Sequence, residues 1–209
     1  MHYIIGFICV TGLALKWYVI SLKKKDIRKK GDFIANYNFS DSLKEKVGQK
    51  HPQLTEGAID SVFLALKDFF FFCVEERSLT MPSKVVDDAW HEFILFTKEY
   101  QDFCIGAYGK ARRHFLHHTP AESYKKELIL NRGKLDMRRV WRAACENEGI
   151  DRKNPEKLPR LFAIDKLLEI EGGHFYSHMK HPLDGEVSAH NIKCASQADT
   201  WACGSCGGD

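Results

Sequence analysis

The stretch from residue 54 to residue 74 most constrains what this chain can fold into. It sets Ile59, Val62, Phe63, Leu66, Phe69, Phe70 and Cys73 at spacings of three and four, the period of a helix with an apolar face. Residues 69–72 are all phenylalanine, so the apolar surface there extends round the whole helix. Such a helix is stable in water only when other elements cover it on every side.

The flanking sequence offers further helices. Asn38, Phe39, Ser40 and Asp41 provide a cap for a short helix over residues 43–47, which His51 and Pro52 end. Met81, Pro82 and Ser83 begin a helix predicted to run to about Ala107, with Gly106 and Gly109 bracketing its break. Thr119, Pro120 and Glu122 follow the order of N-cap, first-turn proline and third-position acid, and predict a helix to Leu130. A break at Asn131, Arg132 and Gly133 separates it from a helix over residues 135–148. A last helix covers residues 160–169 and stops at Gly172 and Gly173. No alternating run is long enough to argue for a sheet. With 209 residues, 44% of them hydrophobic, the chain can bury a sizeable core. The expected fold is all-α, with a compact domain of five or six helices.

Ahead of that domain, residues 3–22 read YIIGFICVTGLALKWYVISL, the length of a helix that crosses a bilayer. Lys16 interrupts the run, with Trp17 and Tyr18 beside it, residue types suited to a membrane interface. Lys23, Lys24, Lys25, Arg28, Lys29 and Lys30 follow. By the positive-inside rule this describes a single-pass transmembrane helix with the domain on the cytoplasmic side. Only Met1 and His2 precede the apolar run and no small-residue cleavage site follows, which argues against a cleaved signal peptide. A helix lying in the membrane interface is the other reading. The expected organisation is an anchor over 1–22, a basic linker over 23–35, a helical domain over 36–184 and a flexible Cys/Gly-bearing tail over 185–209.

The seven cysteines are odd in number and scattered, unlike a disulfide framework. Cys73, Cys104 and Cys145 fall within apolar patterns and are expected in the core as reduced thiols. A net charge of +3 gives no concentrated basic face for nucleic acid. The basic clusters at Lys110, Arg112, Arg113 and at Arg138, Arg139, Arg142 are interleaved with Glu122, Glu127, Glu146 and Glu148, which reads as a mixed-charge surface.

Four blocks stand out: MPSKVVDDAWHEFILFTKEYQDFC (81–104), RRHFLHHTPAE (112–122), VWRAACENEGI (140–150) and LPRLFAIDKLLEI (158–170). In their order, over roughly residues 36–180, they resemble the bacterial glycine-rich domain-containing proteins. Val86, Asp87, Trp90, His91, then Leu116 and His118, are similar to a shorter signature of the related plant family. The chain departs from that pattern in two places. Its tail keeps only Cys203, Cys206 and the glycines around them, and the segment 109–114 is longer than the compact turn expected before Phe115. The resemblance implies a fold and no biochemical activity.

The candidate chemistry centres on Asp87 and His91, four residues apart and so on one helix face. Three roles are open. The pair can hold a metal together with His118, supported by Trp90, His114 and His117; imidazole and carboxylate ligands suit zinc. It can act as a general base, the carboxylate orienting the imidazole. It can also simply cap or crosslink helices. A weaker metal set is His190, Cys194, Cys203 and Cys206, which has one tight CxxC but the spacing of no common zinc finger. His174, His178 and His181 share helical spacing beside a Gly–Gly break and read as a solvated loop. The expected function is a membrane-tethered binding or assembly module with a structural metal site, its partners being the membrane and another protein. The alternative is a zinc-type enzyme using the same residues.

Overall fold

The computed structural model describes residues 2–75, 79–109, 115–117, 126–179, 183, 186–189 and 192, and the side chains of all these except residues 2–14 and 126–136. Among the described residues are seven helices: α1 (His2–Ala35), α2 (Asp41–Lys50), α3 (Glu56–Phe72), α4 (Lys84–Leu95), α5 (Thr97–Tyr108), α6 (Lys126–Glu148) and α7 (Arg160–Leu167). Two two-residue strands, β1 (Tyr176–Ser177) and β2 (Val187–Ser188), pair in parallel with Tyr176 opposite Val187.

The phenylalanine-rich helix α3 is central. Thr55 caps it by accepting from Ala58 N at 3.2 Å. It touches α1, α2, α4, α6 and α7, which cover the apolar circumference the sequence demands. Around it lies an aromatic core. Phe39 and Phe63 have ring centroids 4.7 Å apart, Phe70 and Phe103 4.8 Å, and Phe93 and Tyr100 5.1 Å, tilted or edge-on arrangements that aromatic quadrupoles favour. Cys73, Cys104 and Cys145 are buried free thiols in this core, and burial pushes the Cys73 and Cys104 thiols up, away from the reactive thiolate.

Three expectations need correction. The helix begun at Ser83 does not run to Ala107: it breaks at Phe96, where ψ is 60°, and α5 starts afresh. The break expected at residues 131–133 is absent, because α6 runs through it. The N-terminal transmembrane helix is also overturned. Among the described residues no helix is long and apolar enough to cross a membrane. Instead of an anchor ending at Leu22 and a linker over 23–35, α1 is one helix of 34 residues. It carries Lys16 within its apolar part and a run of lysines and arginine after it.

The C-terminal part of α1 belongs to the domain. Ile34 is buried, and Lys67 Nζ donates to Ala35 O at 2.9 Å, satisfying a carbonyl at the helix end. Two glycines allow the close fit: a Cβ on Gly31 would lie 2.8 Å from the Phe71 ring, and one on Gly106 would lie 2.2 Å from Phe33. Gly106 therefore sits inside α5 as a packing site, while Gly109, at φ 82°, ends that helix. At the other end, Ala189 and Ile192 are buried in the core, so the packed domain reaches beyond residue 184.

Candidate functional site

Helix α4 carries the polar chemistry, and its position is fixed from its N-terminus. Ser83 caps it, accepting from Val86 N at 3.3 Å. Behind Ser83 lies Asp165 of α7, only 1% exposed. Its carboxylate accepts from Ser83 Oγ at 2.6 Å, Lys84 N at 2.7 Å, Val85 N at 3.2 Å and His174 N at 2.8 Å. A buried carboxylate is costly unless its lone pairs are filled. Here four donors fill them, and the positive end of the α4 dipole favours the charge. Asp165 thereby ties α4, α7 and the turn at His174 together.

Sequence reasoning missed Asp165. Leu161, Ile164, Asp165 and Leu168 follow the helical stripe of α7, so a carboxylate stood at a core-facing position and called for buried donors. It also missed the next acid in α4. Asp88 Oδ1 lies 3.0 Å from Lys50 Nζ, and its Oδ2 lies 3.1 Å from both Lys84 Nζ and His51 Nε2. Burial alone would raise the Asp88 pKa, but its hydrogen bonds to the two ammonium groups outweigh it and hold the carboxyl below its ordinary range. This network joins α2 to α4.

The predicted pair faces another way. Asp87 Oδ2 and His91 Nδ1 stand 3.7 Å apart, with the two side chains 31% and 41% exposed. That is too long for the direct hydrogen bond of an oriented general base. It is close to the separation of about 3.3 Å that two ligands of a tetrahedral zinc subtend. Trp90, between them in sequence, points inward, its ring 5.3 Å from that of Phe69 and 5.8 Å from that of Phe70.

Trp90 also links the two sequence motifs. Its Nε1 donates to Tyr100 Oη at 3.1 Å, and Tyr100 Oη donates to Leu116 O at 2.5 Å. The Tyr100 and Phe115 rings meet in a tilted contact with centroids 5.8 Å apart. Burial pushes the Tyr100 hydroxyl up, so it stays a neutral relay. Residues 115–117 are thus held to the α4–α5 pair. His117 is exposed there. His114 and His118 lie outside the described residues, as do His181 and the whole tail set His190, Cys194, Cys203 and Cys206. Among the described residues no group of three or more His, Cys, Asp or Glu side chains is placed to hold a metal. Cys104 is buried, and burial holds its thiol in the protonated form, so it is no nucleophile partner for His91.

One family model matches the chain, over residues 29–198, and the description it carries is UCP032817-like. No curated protein and no solved structure matches. The matched span takes in the packed end of α1, every later helix and both strands. The chain belongs to the uncharacterised UCP032817-like family.

Proposed function

We propose that this protein is a helical binding or assembly module that takes a divalent metal ion, zinc by ligand type, on the outer face of α4. Asp87 and His91 supply two ligands in this reading. His118 supplies a third, with His114 and His117 in support. The observation that carries it is the Trp90–Tyr100–Leu116 chain of hydrogen bonds. It fastens the segment leading directly into His118 to the helix that bears the Asp87–His91 pair. Kinship with the glycine-rich domain-containing proteins is part of the same proposal and rests on the Val86, Asp87, Trp90, His91 block.

The test is the metal content of the purified full chain beside His91→Ala and His118→Ala. Stoichiometric metal in the parent, lost from both variants while the helical signal persists, supports the site. No metal in the parent, with variants that are merely less stable, overturns it and leaves the pair with a structural role alone. The exposure of both side chains favours a second reading, a metal-dependent enzyme. An open coordination position holding water would distinguish it from a closed structural site.

A further inference from the structure

Among the described residues, exposed large apolar side chains gather in the middle of α1. Leu15 is 64% exposed, Trp17 73%, Tyr18 62%, Val19 56%, Ile20 40% and Leu22 49%. These residues occupy successive positions round the helix, so no side of this segment is covered by the domain. A water-soluble surface does not ordinarily keep so many large apolar groups together without an occupant.

The residues that follow give that occupant its chemistry. Lys24, Lys25, Arg28 and Lys29 are all exposed, while Lys23 lies 3.3 Å from Glu75. From Trp17 to Lys24 is seven residues, about 10 Å along a helix axis. The headgroup layer of one leaflet is about 5–8 Å deep. A helix entering that layer from the domain side would set its lysines among the phosphates and its Trp17 and Tyr18 at the boundary with the acyl chains. Indole and phenol rings favour that boundary. The domain begins to pack against α1 only at Ile27, Gly31 and Ile34, so nothing in the described fold blocks this approach.

We infer that residues 15–29 of α1 form a docking element for the surface of an acidic phospholipid leaflet. The exposed apolar residues enter the interface and the basic residues after them bind headgroups. A second copy of the chain is the competing occupant, but six basic residues over 23–30 would repel their like across a symmetric contact. The inference is independent of the metal site.

Flotation of the full chain with phosphatidylcholine vesicles, with and without phosphatidylglycerol, tests it. The parent is expected to float with the acidic vesicles and to be released as salt rises. Replacing Lys24, Lys25 and Lys29 by Gln together should weaken binding to acidic vesicles about a hundredfold. Replacing Trp17 and Tyr18 by Gln should weaken binding to both kinds of vesicle. These residues lie outside the packed part of α1, so the helical signal should not change. Equal binding of the parent to neutral and acidic vesicles, or none to either, would overturn the inference. So would a dimer in solution that the Trp17, Tyr18 variant dissociates while vesicles bind neither form; that result would assign the surface to a second copy.

Discussion

Asp165 and Asp87 are both carboxylates beside helix α4, and they are built in opposite ways. Asp165 is 1% exposed and accepts four hydrogen bonds between 2.6 and 3.2 Å. Asp87 is nearly a third exposed and faces an imidazole at 3.7 Å. The first has its lone pairs filled by donors from the fold and can do little but hold the fold together. The second stands part-exposed beside an imidazole, and under the proposed reading the two share an ion. A carboxylate's role is thus readable from what already surrounds it, more than from its neighbours in sequence.

This contrast can be broken at four points. The largest effect is expected at Asp165. Asp165→Ala would leave four donors without their acceptor, at about 1–3 kcal/mol each, so chemical denaturation should show a loss of about 4 kcal/mol or more. A loss under about 1 kcal/mol would mean the carboxylate is not the tie described.

A pH effect of about 3 kcal/mol is expected at Asp68, which joins α3 to α7 through Arg160 Nη1 at 2.9 Å. Burial raises its carboxyl to about 6 against the pull of the guanidinium. Because the folded value lies above the unfolded one, the stabilising contribution is full below the unfolded pKa. It is lost as pH rises through about 6. Measured between pH 4 and pH 7 (about three units), the parent should therefore lose stability relative to Asp68→Asn. Parallel pH profiles of the two proteins would contradict this.

Asp88 should behave with the opposite sign. Its carboxyl is held below the ordinary range, so its contribution is present above the unfolded pKa and fades as pH falls through the folded one. Its lysine partners are about 40% exposed, which screens the pairing. Asp88→Asn is expected to cost about 1 kcal/mol at neutral pH, less in high salt. A salt-independent loss would point to packing instead. The smallest stability effect is expected at His91, where His91→Ala should change the unfolding free energy by less than about 0.5 kcal/mol. A cost of several kcal/mol would place His91 with Asp165 among the structural groups.

Much of the helical fold was legible because its signals are local. The 3.6-residue period and the four phenylalanines identified α3, and Thr55 and Ser83 sit where caps are required. The break at Phe96 was not legible: no glycine or proline occurs from Ser83 to Ile105, and the apolar period continues across it, so tertiary packing sets it. The unbroken α6 is the reverse case, a Gly133 whose cost of about 1 kcal/mol the rest of the helix outweighs. Residues 3–22 looked like a complete anchor because a hydropathy reading stops at the first lysines, whereas the helix does not. At the site, the Asp87–His91 face could be read from spacing alone. Asp165 could not be read as the group that holds it in place, since its four donors come from residues 83–85 and 174.

In the proposed site Asp87 and His91 share a metal with His118. Cobalt(II) titration of the full chain, followed by visible absorption, addresses it most directly, because the ligand-field bands report nitrogen and oxygen ligands and their geometry. The expected result is saturation at one ion per chain, with bands abolished in both His91→Ala and His118→Ala and kept in Asp88→Asn. Bands that survive both histidine substitutions, or no binding by the parent, would contradict it.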